Sequence, residues 1–92
     1  MNPQEMARKN LVLGIEFDKY LIEHPNLIEK IPQGAYVVLL PEYDPDLFKA
    51  NMRLARKRLK EGEKVVFVRV GKLAPPPKSR LIRPRVEVAE SV

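Results

Sequence analysis

Residues 35–70 decide the fold, and they read AYVVLLPEYDPDLFKANMRLARKRLKEGEKVVFVRV. Two apolar runs, Ala35 to Leu40 and Val65 to Val70, are each about six residues long and rich in Val and Leu, which is typical of strands buried on both faces. The charged segment between them predicts a helix. Two strands joined by a helical crossover are normally parallel, with a right-handed connection. The stretch therefore predicts a parallel strand-helix-strand unit.

The residues before this unit predict a long amphipathic helix. Asn2 is a suitable N-cap and Pro3 suits the first helical position, while Pro25 is expected to end the helix by biasing His24 out of the helical region. Gly14 lies on the apolar side, where the missing side chain would permit close approach. We expect this helix to cover the sheet with one wide apolar face made of two stripes: Met6, Leu13, Phe17, Tyr20 and Leu21, widened by Leu11, Ile15 and Ile22.

A short turn and a second helix complete the expected elements. Residues 26–31 predict one further turn with its aliphatic side chains (Leu27, Ile28 and Ile31) facing inward. The second helix has Asp44 as N-cap, Pro45 at its first position and Gly62 as the left-handed residue that stops it. Its buried side is predicted to consist of Leu47, Phe48, Met52, Ala55 and Leu59, joined by Leu54.

The character of the chain changes beyond the second strand. Three consecutive prolines, Pro75 to Pro77, favour an extended segment without regular hydrogen bonding. The alternation of Arg85 to Val88 after Pro84 is typical of an exposed edge strand. We therefore divide the chain into a compact α/β domain at 1–70 and a Pro-rich basic C-terminal arm at 71–92. The predicted fold class is a small single-domain α/β protein: a helix, then a strand-helix-strand unit with a parallel pair, and an extended C-terminal arm or edge strand.

Composition limits the classes of function. The chain has 92 residues and no cysteine, which excludes a disulfide framework, a thiol nucleophile and a thiolate metal site. Nothing resembles a signal peptide, and the longest early apolar run, Leu11 to Ile15, is far too short to span a membrane. We therefore expect a cytoplasmic protein without a membrane partner. A charged content of 32%, nine prolines and the absence of threonine are compatible with a thermophilic source.

Charge is distributed unevenly along the chain. Residues 1–46 contain four Lys or Arg against eight acids, whereas residues 47–92 contain thirteen against four. The halves thus carry −4 and +9, which gives the overall charge of +5. Such asymmetry favours an acidic partner for the basic half, or head-to-tail attraction between copies.

The second helix carries the strongest functional pattern, which we name the basic stripe: Lys49, Arg53, Arg56 and Lys60, with Lys57 beside them. Its spacing of i, i+4, i+7 and i+11 places the cations along one face, with no interleaved acid. Like charges at these spacings destabilise a helix by a few tenths of a kcal/mol each, so a purely structural surface more usually alternates signs. Two interpretations stay open: a solvated face, or a surface that binds nucleic acid or an acidic protein, with further contacts from Lys78, Arg80, Arg83 and Arg85. Aromatic residues, which would favour single-stranded nucleic acid, do not interleave the stripe.

Two other groups have a functional and a structural interpretation. Glu42, Asp44 and Asp46 follow the carboxyl end of the first strand, where open α/β sheets bind ligands, and their oxygens suit Mg²⁺. The structural interpretation is that the two aspartates cap the second helix and complement its dipole. The two serines lie in segments expected to be mobile, so His24 is expected to bond the last helix carbonyls rather than activate a nucleophile.

No glycine-rich phosphate-binding motif occurs, and we predict no cofactor and no metal.

A set of residues spread over the chain also resembles a known family: Glu16 and Phe17, Tyr20 and Leu21, His24 and Pro25, Ile31, Pro32, Gly34 and Ala35, Leu40, Pro41, Glu42, Asp44 and Pro45, and Ser79, Arg80 and Leu81. The family consists of short prokaryotic proteins that share a domain of unknown function. The resemblance covers most of the chain and implies a shared fold. It implies no activity, because the family has none established.

These observations favour a non-enzymatic binding or regulatory module that contacts nucleic acid or an acidic partner. The alternative is a self-associating structural or assembly protein with no nucleic-acid role, and the third hypothesis is an enzyme with a carboxylate site at Glu42, Asp44 and Asp46. A homodimer is expected, because a two-stranded sheet is too narrow to be stable with open edges and one covered face. The arm is expected to be mobile or packed on a partner subunit.

Overall fold

The protein is described by a computed structural model that covers residues 1–89. Its elements follow in the order α1 (Pro3–Glu23), a 3-10 helix (Pro25–Lys30), β1 (Tyr36–Pro41), α2 (Pro45–Lys60) and β2 (Val65–Val70). The two strands form a parallel sheet. The predicted α/β class, the order of helices and strands and the parallel pair are confirmed, although β1 begins and ends one residue later than expected.

The helices begin and end at their predicted capping residues. Asn2 Oδ1 accepts the Glu5 N–H at 2.7 Å, and Asp44 Oδ1 accepts the Leu47 N–H at 3.2 Å. Gly62, just beyond α2, has a φ of 80°, which glycine adopts without the strain that a Cβ would introduce. The predicted start and stop signals of α2 are therefore confirmed.

The core lies between β1 and α2. Val38, Leu40 and Ala55 are buried together, and the partly buried side chains packed around them are Tyr36, Phe48, Met52 and Val65. Full burial of a Leu side chain such as Leu40 contributes about 1.5–3 kcal/mol. These contacts hold α2, and with it the basic stripe, in a fixed position on the sheet.

The opposite face of the sheet is covered by α1. Leu13 is 2% exposed, and it lines, together with Phe17 of α1 and with Val68 and Val70 of β2, a cavity of about 490 Å³. The cavity shows that α1 does not pack fully against β2. No helix within residues 1–89 is long and apolar enough to cross a membrane.

A partly buried pair of asparagines joins α1, α2 and the outer edge of β1. Asn51 is 5% exposed; its Nδ2 donates to the Leu39 carbonyl at 2.9 Å and to Asn10 Oδ1 at 2.9 Å, and Asn10 Nδ2 donates to Asn51 Oδ1 at 3.1 Å. The Tyr36 N–H donates to the Lys64 carbonyl of the neighbouring chain segment, so even-numbered residues of β1 bond towards β2 and odd-numbered ones face away. Asn51 therefore satisfies one of the outward-facing carbonyls at the outer edge of β1.

The apolar side chains of α1 do not form one wide face. Leu11, Ile15 and Ile22 are 65%, 46% and 80% exposed, because the turn of the helix places them on the side away from Leu13. The prediction that they widen the buried face is wrong. Gly14 also makes no close approach, since a Cβ added there would meet nothing within 4 Å.

Ile28, Leu54 and Leu59 are also exposed, although the sequence predicted them on buried sides. The buried side of α2 is a single row of residues spaced four apart: Leu47, Asn51 and Ala55. Two strands lie only about 5 Å apart, so this sheet is too narrow to cover the wider apolar side that was expected.

Residues 71–89 contain no helix or strand and all are exposed. The segment from Arg85 to Val88 therefore forms no edge strand with any part of the described chain, because the extended arm brings it to no sheet edge. Within the arm, Arg83 adopts a φ of 46°. The radius of gyration is 18.6 Å, against about 12 Å for a compact chain of this length. The end of the arm, which includes Ser91, lies outside the described residues.

Candidate nucleic-acid interface

The basic stripe lies on the outer side of α2. All five of its residues are exposed: Lys49, Arg53, Arg56, Lys57 and Lys60. Within residues 1–89, none of them forms an ion pair. At about 1.5 Å per residue the stripe extends about 16 Å along the helix axis. A row of unpaired positive charge of this length is a surface that attracts anions.

Arg58, at the end of α2, has a different role from the stripe. Its Nη1 lies 3.2 Å from Glu63 Oε2, and its guanidinium carbon lies 4.5 Å from the centre of the Tyr36 ring. Hydrogen bonding to the Glu63 carboxylate raises the pKa of Arg58. These contacts fasten the C-terminal end of α2 to the start of the sheet and so fix the direction of the stripe.

A shallow hollow of about 280 Å³ borders the stripe. Phe48 and Met52 line it on the apolar side, and Lys49, Arg53 and Arg56 line it on the charged side. An aromatic residue therefore lies beside the cations, although none interleaves the stripe itself. This apolar border could have been predicted from the sequence, because Phe48 and Met52 form an i, i+4 pair directly beside the i, i+4 pair Lys49 and Arg53.

Arg69 of β2 extends the charge beyond α2. Its guanidinium carbon lies 5.9 Å from the centre of the Phe48 ring, and its Nη1 lies 3.5 Å from Glu42 Oε2. Pairing with Glu42 neutralises part of this charge. Arg69 was not among the predicted site residues, because only the register of β2 beside β1 brings it to the helix that carries the stripe.

The predicted arm residues are not joined to the stripe. The arm cations are exposed: Lys78, Arg80, Arg83 and Arg85. No hydrogen bond or ion pair connects them to α2 within the part of the chain that the structure describes. The two sets of predicted site residues are therefore separate surfaces in a single chain.

The carboxylates after β1 are used by the fold. Besides capping α2, Asp44 accepts a hydrogen bond from Lys9 Nζ at 2.9 Å, which lowers the pKa of Asp44 and raises the pKa of Lys9. Asp46 lies in the first turn of α2, where it complements the helix dipole. Glu42 lies near Arg69 instead. In residues 1–89, no group of three potential ligand side chains is arranged to hold a metal ion, and the helix-cap interpretation of Asp44 is confirmed.

His24 ends α1, as predicted. Its Nδ1 donates to the Tyr20 carbonyl at 3.0 Å, and its ring stacks on the Tyr20 ring with a centroid distance of 3.9 Å. Its backbone N–H donates to the same carbonyl at 2.9 Å. The imidazole is thereby used as a helix cap.

Comparison with known proteins identifies the family. A search of curated proteins found no match to this chain, and a search of solved structures found none either. A family model with the description "Family of unknown function (DUF5647)" matches residues 5–84, which include α2, both strands and all of α1 except its first two residues. The resemblance read from the sequence is thereby confirmed, and the chain belongs to the family of unknown function DUF5647.

Proposed function

We propose that this protein is a cytoplasmic, non-enzymatic module that binds nucleic acid through the phosphate backbone, with the basic stripe as the contact surface. One observation carries the proposal: the five cations of the stripe are exposed on one face of α2 and, within residues 1–89, make no ion pair. Such like charges repel each other along the helix. Phosphates bound along the stripe would turn this repulsion into attraction and would release counterions.

The hollow beside the stripe supports the same proposal. Phe48 offers an aromatic surface next to Lys49 and Arg53, and base–aromatic stacking contributes about 1–3 kcal/mol per base in single-strand binding proteins. Phosphate contacts position a protein but carry no sequence information. We therefore expect slight sequence preference, and binding to single strands at least as strong as binding to duplexes.

Anisotropy titrations of labelled DNA and RNA oligomers between 50 and 200 mM salt test the proposal. If about five phosphates are neutralised per chain, the logarithm of affinity should fall with the logarithm of salt at a slope of about −4 to −5 for duplex DNA. For single strands the slope should be about −3 to −4. Absence of binding at 50 mM salt would contradict the proposal and favour an acidic protein partner or a solvated face.

A matched pair of variants separates the stripe from net charge. Arg53→Glu/Arg56→Glu and Arg8→Glu/Lys30→Glu both replace two exposed cations, so both reduce the net charge from +5 to +1. The stripe variant should weaken binding more than tenfold for every sequence, while the control variant should weaken it less than threefold. Both should unfold within a few degrees of the wild type, because exposed substitutions usually change stability by less than about 0.5 kcal/mol. Equal weakening by the two variants would assign binding to net charge alone.

A further inference from the structure

We infer that the arm of one copy of this chain docks on the outer apolar side of α1 in a second copy. The docking surface, which we call the outer stripe, consists of Leu11, Ile15 and Ile22, all of them exposed. A helix at the surface of a globular protein needs one apolar face, and α1 already uses Leu13 and Phe17 for the sheet. The outer stripe is thus a second apolar face that nothing in residues 1–89 covers.

The arm carries an apolar set of matching length. Its aliphatic side chains are 72%, 89%, 96% and 89% exposed: Leu81, Ile82, Val86 and Val88. Arg83, whose φ is 46°, bends the arm between these residues; with this bend straightened on docking, Leu81 to Val86 would cover about 16 Å at about 3.3 Å per residue. A helix rises about 1.5 Å per residue, so Leu11 to Ile22 also covers about 16 Å. The arm can therefore place an aliphatic side chain at each end of the outer stripe.

Charge favours the same pairing. Asp18 follows Ile15 by three residues and precedes Ile22 by four, so it lies within the outer stripe. The arm has cations between its aliphatic residues, and residues 71–86 contain no acid. Contact between the α1 helices of two copies would instead bring an unpaired Asp18 from each copy into an apolar interface, which is unfavourable. The arm supplies both the apolar surface and the opposite charge.

The extent of the chain favours a second copy as the source of the arm. The chain exposes 8250 Å², whereas a compact chain of this mass exposes about 5,500 Å². The excess is larger than the roughly 1,600 Å² that a standard protein interface buries. The chain is 64 Å long, and the stiff Pro75–Pro77 segment holds the arm extended. Two chains can exchange arms across a two-fold axis, so that each α1 receives the arm of its partner.

Single-cysteine variants test the contact directly, because the natural chain has no cysteine. Ile15→Cys chains are mixed with size-tagged Ile82→Cys chains, oxidised mildly, and separated without reductant. The mixed disulfide should form at least ten times faster than in a control mixture of Lys49→Cys with Ile82→Cys, since Lys49 is exposed on α2. A predominant link between two Ile15→Cys chains would overturn the inference in favour of α1–α1 contact. In a chain that carries both Ile15→Cys and Ile82→Cys, a disulfide within a monomer would overturn the inference, because the arm would then dock on α1 of its own chain.

Reversing the charges of Asp18 and Arg83, singly and together, provides a second test that does not depend on oxidation. Sedimentation of the full-length protein should show a dimer at micromolar concentration. Asp18→Lys or Arg83→Glu alone should raise the dimer dissociation constant at least tenfold, and the double variant should return it to within threefold of the wild type. A wild-type monomer, or single variants without effect, would overturn the inference. The basic stripe stays exposed in such a dimer, so these outcomes are independent of nucleic-acid binding.

Discussion

Replacing Asn51 with alanine is expected to lower the free energy of unfolding by about 2 to 3 kcal/mol. Asn51 donates to the Leu39 carbonyl and exchanges two hydrogen bonds with Asn10. Each bond contributes about 1 kcal/mol net, and a buried carbonyl left without a donor costs about 1–3 kcal/mol. Asn10 is only half-buried, so water can replace part of the hydrogen bonding that Asn10 loses. The destabilisation is therefore smaller than the sum of these contributions.

The same geometry predicts coupling between the two asparagines. Asn10→Ala leaves the bond from Asn51 to the Leu39 carbonyl in place, so it should cost about 1 to 1.5 kcal/mol. The double variant should then be no less stable than Asn51→Ala alone. The expected coupling energy in the cycle is therefore about 1 kcal/mol, which is within the range for residues in one hydrogen-bond network.

Urea unfolding followed by circular dichroism at one fixed protein concentration measures these differences, because association would otherwise change the apparent stability. Asn26→Ala, at an exposed position of the 3-10 helix, is the control and should change stability by less than about 0.5 kcal/mol. The reasoning would be refuted if Asn51→Ala matched this control. It would also be refuted if the effects of the two asparagine variants added within about 0.3 kcal/mol.

Two further predictions concern backbone and charge. Gly14→Ala should raise the free energy of unfolding by about 0.5–1 kcal/mol, because the position is helical and open. Gly62→Ala, at a φ of 80°, should lower the free energy of unfolding by about 1–2 kcal/mol. Urea unfolding that gave the reverse order would contradict both assignments. The pKa of Asp44 is lowered in the folded state, so its stabilising effect is complete above the unfolded pKa of about 3.9 and is lost as the pH falls through the lower folded value. Unfolding measured from pH 7 to pH 2 should therefore show the wild type losing its advantage over Asp44→Asn only below about pH 4, and a constant difference would count against the Lys9 contact.

Local signals predicted the elements because each acts within a few residues. Asp44 and Pro45 set the start of α2, Gly62 sets its stop, and the run from Val65 to Val70 is β2 with the predicted bounds. The N-terminal cap of α1 and its end at His24 follow from the same kind of short-range chemistry. The parallel pairing could be predicted because strands joined by a helical connection are normally parallel, and the length of that connection is visible in the sequence.

The packing could not be predicted, because it depends on how much surface the sheet offers. Two strands bury a narrow row of side chains, which left Leu59 outside although it fits an apolar helical pattern. Asn10 and Asn51 are separated by 41 residues, and no local pattern joins them. The position of Arg69 near the Phe48 ring likewise required the register between the strands. The candidate site was predicted as a row of cations and observed as a row of cations with an apolar border.

The two edges of the sheet differ in what they offer to a further strand. Asn51 occupies the Leu39 carbonyl there, and Pro41 has no N–H to offer a further strand. On β2, by contrast, the odd-numbered residues direct their backbone groups outward, and no strand within residues 1–89 pairs with them. A sheet that is open on both sides can add molecules without limit, as amyloid fibres do, whereas a sheet open on one side stops after one addition. Asn51 and Pro41 thus make the β1 edge a poorer site than the β2 edge for adding a further strand.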